Sequence, residues 1–164
     1  FDVLLRAVAL CRAREVDVRC AVVGDGVSRP GLVALAGELG LEASVCVLPG
    51  RVERATALDW YQALDVFCVP RLDTPVCRLV TPLKPMTAMA LGRPVVVSDL
   101  PALSELTAAA TNRSFPAGDV EALSRVLTGM ASGDPLPSTP STHQPLPTWS
   151  GNAVRQAEIY KELV

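Results

Sequence analysis

The sequence predicts an α/β fold, a three-layer Rossmann-like domain whose parallel sheet is flanked by helices. Three observations carry this. Helix-like and strand-like segments alternate along the 164 residues. The strand-like segments are continuous apolar runs rather than alternating ones, the pattern of strands covered by helices on both faces. The chain is 49% hydrophobic but only 4% aromatic, so it can bury a core of its own, and that core is aliphatic.

Each element follows from local signals. From Asp2 to Arg14 the apolar residues Val3, Leu4, Ala7, Val8 and Cys11 recur at helical spacing. Val18 to Val23 is a β-branched run that breaks at Gly24-Asp25-Gly26, as a buried strand does on leaving a sheet. Pro30 to Leu39 reads as a helix, with Gly40 where a helix C-terminus favours glycine. Val45 to Leu48 is a second strand closed by Pro49-Gly50, and Thr56 is the expected N-cap of a helix reaching Leu64. Val66 to Val69 is a strand stopped by Pro70.

Arg71 to Leu83 holds two prolines and two arginines without clean periodicity and reads as a long loop. A helix ending at Gly92 and a strand from Pro94 to Val97 follow. A short helix over Leu103 to Leu106, a brief strand at Ser114-Phe115 and a helix from Val120 to Met130, capped by Asp119, complete the regular part. Residues 1–131 are thus expected to form the domain. Residues 132–148 are rich in Pro, Ser and Thr and read as irregular and exposed. Residues 149–164 carry a final helix from Trp149, with Ala153, Gln156, Ile159 and Tyr160 on one face, placed to dock on something outside the core.

Charge and composition narrow the function. A net charge of -2 argues against nucleic acid as a partner. No apolar run is long enough to span a bilayer and no signal-peptide pattern opens the chain, although it starts at Phe1 rather than Met, so a cytoplasmic protein is expected. Cys11, Cys20, Cys46, Cys68 and Cys77 include no Cys-x-x-Cys pair, and His143 is the lone histidine. That argues against a zinc site and for reduced, buried thiols. Neither a metal nor a cofactor is expected.

In an open parallel sheet, ligands bind at the carboxyl ends of the strands. Three loops leave those ends. Gly24-Asp25-Gly26 permits close backbone approach to a phosphate, but an ordinary strand-to-helix turn accounts for it better. Ser28-Arg29-Pro30 follows where a dinucleotide fingerprint would need glycine, so a nicotinamide site is not expected. Gly50-Arg51-Val52-Glu53-Arg54 sets two arginines at a strand exit, suited to a phosphate or a base, or simply to solvent. Val80-Thr81-Pro82-Leu83-Lys84-Pro85 is the most informative. Proline holds Lys84 extended and starts a helix at Pro85, leaving the N–H groups of Lys84, Met86 and Thr87 aimed outward, where an anion binds. A lysine there opposes the helix dipole by about 0.3–1 kcal/mol. A phosphate between the two would account for it.

The runs YQALDVFCVP, VTPLKPMTAMALGRPVVVSDLPALSEL and FPAGDVEALSRVL resemble the C-terminal, donor-binding domain of family-four retaining GT-B glycosyltransferases. The likeness runs from Phe1 to about Met130 and resumes at Trp149. It implies a nucleotide-diphospho-sugar donor, no metal, and an acceptor held by a separate N-terminal domain to which the closing helix crosses back. With that domain missing, Ile159 and Tyr160 would be left open and the chain could self-associate. The resemblance also implies that the base sits near Gly50, Arg51 and Val52. The diphosphate and sugar would lie over the segment of Thr81, Pro82, Leu83, Lys84 and Thr87, with Arg71 entering the same site.

Two departures bear on activity. The family's signature of two glutamates separated by seven residues falls on Leu79 and Thr87, so both acids are absent. The family's Gly-Arg…Lys-Gly segment, which clamps the diphosphate, normally stands just before the helix that matches Phe1-Asp2-Val3-Leu4-Leu5. The expected function is therefore donor binding within a glycosyltransferase, the isolated piece being inactive. The alternatives are a non-catalytic GT-B-like module and a GT-B-fold sugar-nucleotide epimerase.

Overall fold

A computed structural model describes residues 1–107, 112–133 and 149–162. The order is α1 (Asp2–Ala13), β1 (Cys20–Val23), α2 (Arg29–Glu38), β2 (Cys46–Gly50), α3 (Arg54–Ala63), β3 (Phe67–Val69), α4 (Pro75–Leu79), α5 (Lys84–Ala90), β4 (Val95–Ser98), α6 (Pro101–Thr107), β5 (Arg113–Phe115), α7 (Val120–Ala131) and α8 (Trp149–Glu162). All strand pairs are parallel, and helices cover the sheets. The Pro/Ser/Thr-rich segment lies outside the described residues beyond Gly133.

The strands pair in two groups, β1 with β2 and β3-β4-β5. Among the described residues no ladder joins β1 to β3. β4 is the most deeply buried strand: Val95, Val96, Val97 and Ser98 are all at 0% exposure. Successive side chains of a strand point to opposite faces, and β4 uses both. Val96 packs into a core with Leu5, Val8, Phe115 and Leu123, whereas Val95 and Val97 pack into a second core with Ala88, Leu100 and Leu103. This double covering is why the strand reads as an unbroken apolar run.

The buried Asn112 side chain is bonded, whereas the buried Nε atoms of Arg29 and Arg93 have no hydrogen-bond partner among the described residues. Asn112 is buried, accepting from the backbone N–H of Val95 at 2.9 Å and donating to the carbonyl of Leu106, so it ties the start of β4 to α6. Cys11 of α1 lies against the Ser124 carbonyl of α7 at 3.5 Å. The five cysteines are unpaired, with Cys11 and Cys46 buried and the others half-buried. Asp119 caps α7 as expected, accepting from the N–H of Ala122 at 2.8 Å.

Several local expectations are corrected. α3 begins at Arg54 with Glu53 as its cap residue, two positions ahead of Thr56, because Glu53 is extended and its carbonyl accepts from the N–H of Ala57 at 2.9 Å. The presumed long loop contains α4, whose N-cap Thr74 accepts from the N–H of Cys77 at 3.4 Å with Pro75 at the first helical position. Lys84 is not extended but opens α5, with Leu83 as cap, and the N–H of Met86 is already bonded to the Leu83 carbonyl at 3.1 Å. Pro85 constrained Leu83 and Lys84 less than the tight turn closing on Leu83 did. α5 spans seven residues, so its dipole is short.

Candidate functional site

A cleft of about 540 Å³ opens between β1 and β3. Its mouth is built where the strands end. Gly24 leaves β1, Arg51 and Val52 leave β2, Pro70 and Arg71 leave β3, and Pro82 and Lys84 come from the segment entering α5. Five predicted residues therefore meet at one cleft: Arg51, Val52, Arg71, Pro82 and Lys84. Gly50, Thr81, Leu83 and Thr87 do not line it. Gly50 is buried beneath Arg51, Thr81 and Leu83 are exposed on the rim segment, and Thr87 is half-buried along α5. Leu79, at the other position lacking an acid, is 83% exposed.

The conformation of the rim has identifiable causes. Ser98 Oγ donates to the Arg71 carbonyl at 2.7 Å, fixing the exit of β3 to the end of β4. Arg71 Nη1 donates to the Val80 carbonyl at 2.6 Å and closes the segment that carries α4. Within it Arg78 grips Asp73 with two bonds, Nε to Oδ1 at 2.5 Å and Nη2 to Oδ2 at 2.6 Å. That pairing holds the Asp73 carboxyl below its ordinary pKa and raises that of Arg78. Arg51 and Lys84 form no ion pair among the described residues, so both cations are open to an anion at the mouth.

The interior of the cleft is apolar. Burial raises the phenol of Tyr61, which stacks on Phe67 with ring centroids 5.2 Å apart. Burial pushes the Cys68 thiol up to about 12, and raises that of Cys20 further still with help from Cys46 and Cys68. These sulfurs are therefore protonated thiols at neutral pH. Among the described residues no cluster of His, Cys, Asp or Glu is arranged for a metal, and no helix is long and apolar enough to cross a membrane.

Sequence reasoning missed Trp60 and Tyr61 in the cleft, and Arg29 at the Gly50 turn. Trp60 and Tyr61 line the cleft from α3, along with Ala57 and Leu64; the spacing 57, 60, 61, 64 is a readable helical stripe. Arg29 was passed over, yet it donates from Nη2 to the Leu48 carbonyl at 3.0 Å beneath the Gly50 turn. A second cavity, about 460 Å³, lies at the opposite end of β2 between Arg12, Gly40 and Leu41. Arg12 is committed to Asp17 at 2.5 Å, which leaves that cavity no free cation of its own.

Similarity to known proteins identifies the family. A family model described as "Glycosyl transferases group 1" matches residues 1–132. A D-inositol 3-phosphate glycosyltransferase of Thermobispora bispora is 27% identical over 175 residues, covering 98% of this chain and 40% of that protein. One of Streptosporangium roseum is 28% identical over 173 residues, covering 97% and 38%. The chain thus spans about two-fifths of these relatives. Among solved structures, sucrose-phosphate synthase from Thermosynechococcus elongatus superposes with TM-score 0.74 at 21% identity, over 97% of this chain and 42% of that one. Anabaena Alr3699/HepE in complex with UDP superposes with TM-score 0.70 at 18% identity, over 97% and 44%. Folded as one Rossmann-like half of a GT-B architecture and matched along most of its length, the chain belongs to the glycosyl transferases group 1 family.

Proposed function

We propose that this chain is the donor-binding domain of a retaining, metal-independent glycosyltransferase, holding a nucleotide-diphospho-sugar while a separate domain holds the acceptor. One observation carries the reading: Arg51, Arg71 and Lys84, from three different segments, meet at the mouth of a single cleft at the carboxyl ends of parallel strands. A diphosphate needs that concentration of positive charge. As the sugar bond breaks, charge grows on the departing nucleoside diphosphate, and fixed cations stabilise it without a metal. Val52 and the backbone around Gly50 would face the base, and Lys84 the phosphates. Family membership supports sugar transfer, and a protein of the same fold has been solved with UDP.

Calorimetric titration of the full-length protein with UDP, GDP and ADP tests the reading. One of them should bind, and its phosphate-free nucleoside should bind at least tenfold more weakly. A second reading is favoured by Leu79 and Thr87, which put no carboxylate where ribose or sugar hydroxyls would need one. In it the domain serves assembly, and none of the three diphosphates binds.

A further inference from the structure

Granted the donor-binding reading, on which this rests, we propose that the sugar held at the mouth is a deoxy sugar, selected by an apolar rim of Leu79, Val80 and Leu83.

The cleft is furnished for phosphates and for little else that is polar. Its charged residues are all cations: Arg19, Arg51, Arg71 and Lys84. Among the described residues no carboxylate and no amide side chain lines it, and the single hydroxyl is the phenol of Tyr61. A fully hydroxylated hexose needs a different lining. Each of its hydroxyls both donates and accepts, and one left unbonded on leaving water weakens binding by about tenfold or more. Arginine and lysine can donate to a hydroxyl but cannot accept from it.

The acceptors of the rim segment are already engaged. It carries one carboxylate, Asp73, and Arg78 occupies both of its oxygens. Thr74 Oγ1 accepts from the N–H of Cys77. The carbonyl of Val80 accepts from Arg71 Nη1 at 2.6 Å, and that of Arg71 accepts from Ser98 Oγ at 2.7 Å. Of the oxygen-bearing side chains from 71 to 84, only Thr81 stands outside these bonds, and it does not line the cleft.

What the rim offers instead is apolar surface. Leu79 is 83% exposed, Leu83 67% and Val80 51%. The chain itself ties them to the cations: Arg71 holds the Val80 carbonyl, Leu79 precedes Val80, and Leu83 precedes Lys84. Single exposed apolar residues need no explanation, but a group of them against a cationic mouth marks a contact surface. A diphosphate bonded to Arg71 and Lys84 brings its sugar to the side chains adjacent to both. A methyl or methylene at a deoxy position covers those side chains and leaves no polar group unbonded. A hydroxyl at the same position covers them only by giving up its water.

The test uses the full-length protein and whichever of UDP, GDP and ADP it binds. Calorimetry compares the glucose ester of that diphosphate with each of its monodeoxy counterparts. At least one deoxy ester should bind about tenfold more tightly than the glucose ester. Leu79→Gln sets an amide acceptor on the rim at a position exposed enough to leave the fold intact. It should shrink the deoxy preference about fivefold or more and leave the affinity for the free diphosphate as it was. Esters that all bind within about threefold of one another overturn the proposal while the donor-binding reading stands. A preference that Leu79→Gln leaves untouched overturns it as well, since the selection then lies elsewhere. So does a glucuronate ester that binds more tightly than every deoxy ester, because the cations would then be reading the sugar. Failure of all three diphosphates to bind overturns both this proposal and the reading beneath it.

Discussion

The guanidinium of Arg29 lies against the α-carbon of Gly50: a β-carbon added at Gly50 would meet Arg29 Nε at 3.4 Å. Gly50 has φ of +81°, in the left-handed region that favours glycine. Its turn aims Arg51 at the mouth of the cleft while Arg29 passes beneath to the Leu48 carbonyl. Gly50→Ala should therefore destabilise the domain by about 1–2 kcal/mol, from backbone strain and the tight contact together. Urea unfolding monitored by circular dichroism measures it. A midpoint equal to that of the parent would mean the turn relaxes freely.

Lys84 is exposed at the mouth and opens α5. A charge-assisted hydrogen bond contributes about 1.5–3 kcal/mol, so Lys84→Met should weaken nucleoside diphosphate binding at least tenfold in the full-length protein. The matching nucleoside should lose almost nothing. Equal affinities of parent and variant for the diphosphate would place the phosphates away from this lysine.

The raised Cys68 thiol gives a pH prediction with a definite sign. The folded state holds its proton up to about 12, against an ordinary value near 9. The stabilisation this represents is complete below pH 9 and is lost as the pH rises from there through 12. At pH 8 the thiolate fraction should be about a thousandfold below that of an unperturbed thiol. Alkylation by iodoacetamide followed by peptide mass mapping should find Cys68 almost unmodified in the native protein and rapidly modified in urea. Fast native alkylation would contradict the burial that sets its pKa.

α8 leaves Val154, Ile159 and Tyr160 exposed at 60%, 52% and 60%. Exposed apolar patches drive association. The isolated chain should self-associate with rising concentration in sedimentation velocity, and a double Ile159→Ser, Tyr160→Ser variant should shift toward monomer. A strictly monomeric parent would show that this face needs no cover.

What could be read in advance was what local chemistry fixes. The runs Val18 to Val23 and Pro94 to Val97 announce strands because valines recur within them and glycine or proline marks an end of each. Asp119 announces a cap because a carboxylate two or three residues ahead of free N–H groups has few better uses. The convergence of Arg51, Arg71 and Lys84 follows once the strands are taken as parallel, since all three stand just beyond strand ends or at the next helix start. α4 was hidden because five helical residues generate no periodicity. The stripe of Ala57, Trp60, Tyr61 and Leu64 is local, but the direction in which α3 turns it depends on tertiary packing, and the split between β1 and β3 depends on long-range pairing. Neither is written in any local window.

The bond from Arg71 to the Val80 carbonyl has a thermodynamic consequence. The guanidinium has five N–H donors, so the one holding Val80 leaves others to meet a phosphate. A ligand that binds through those remaining donors finds a rim already ordered and keeps its full affinity. One that draws the whole group toward itself must release Val80, and its affinity is then lowered by the free energy of opening the 71–80 segment. For a ligand bound as proposed, selectivity would be tied to loop opening through a single side chain, and changing the length of the segment Arg71 holds shut would tune the two together.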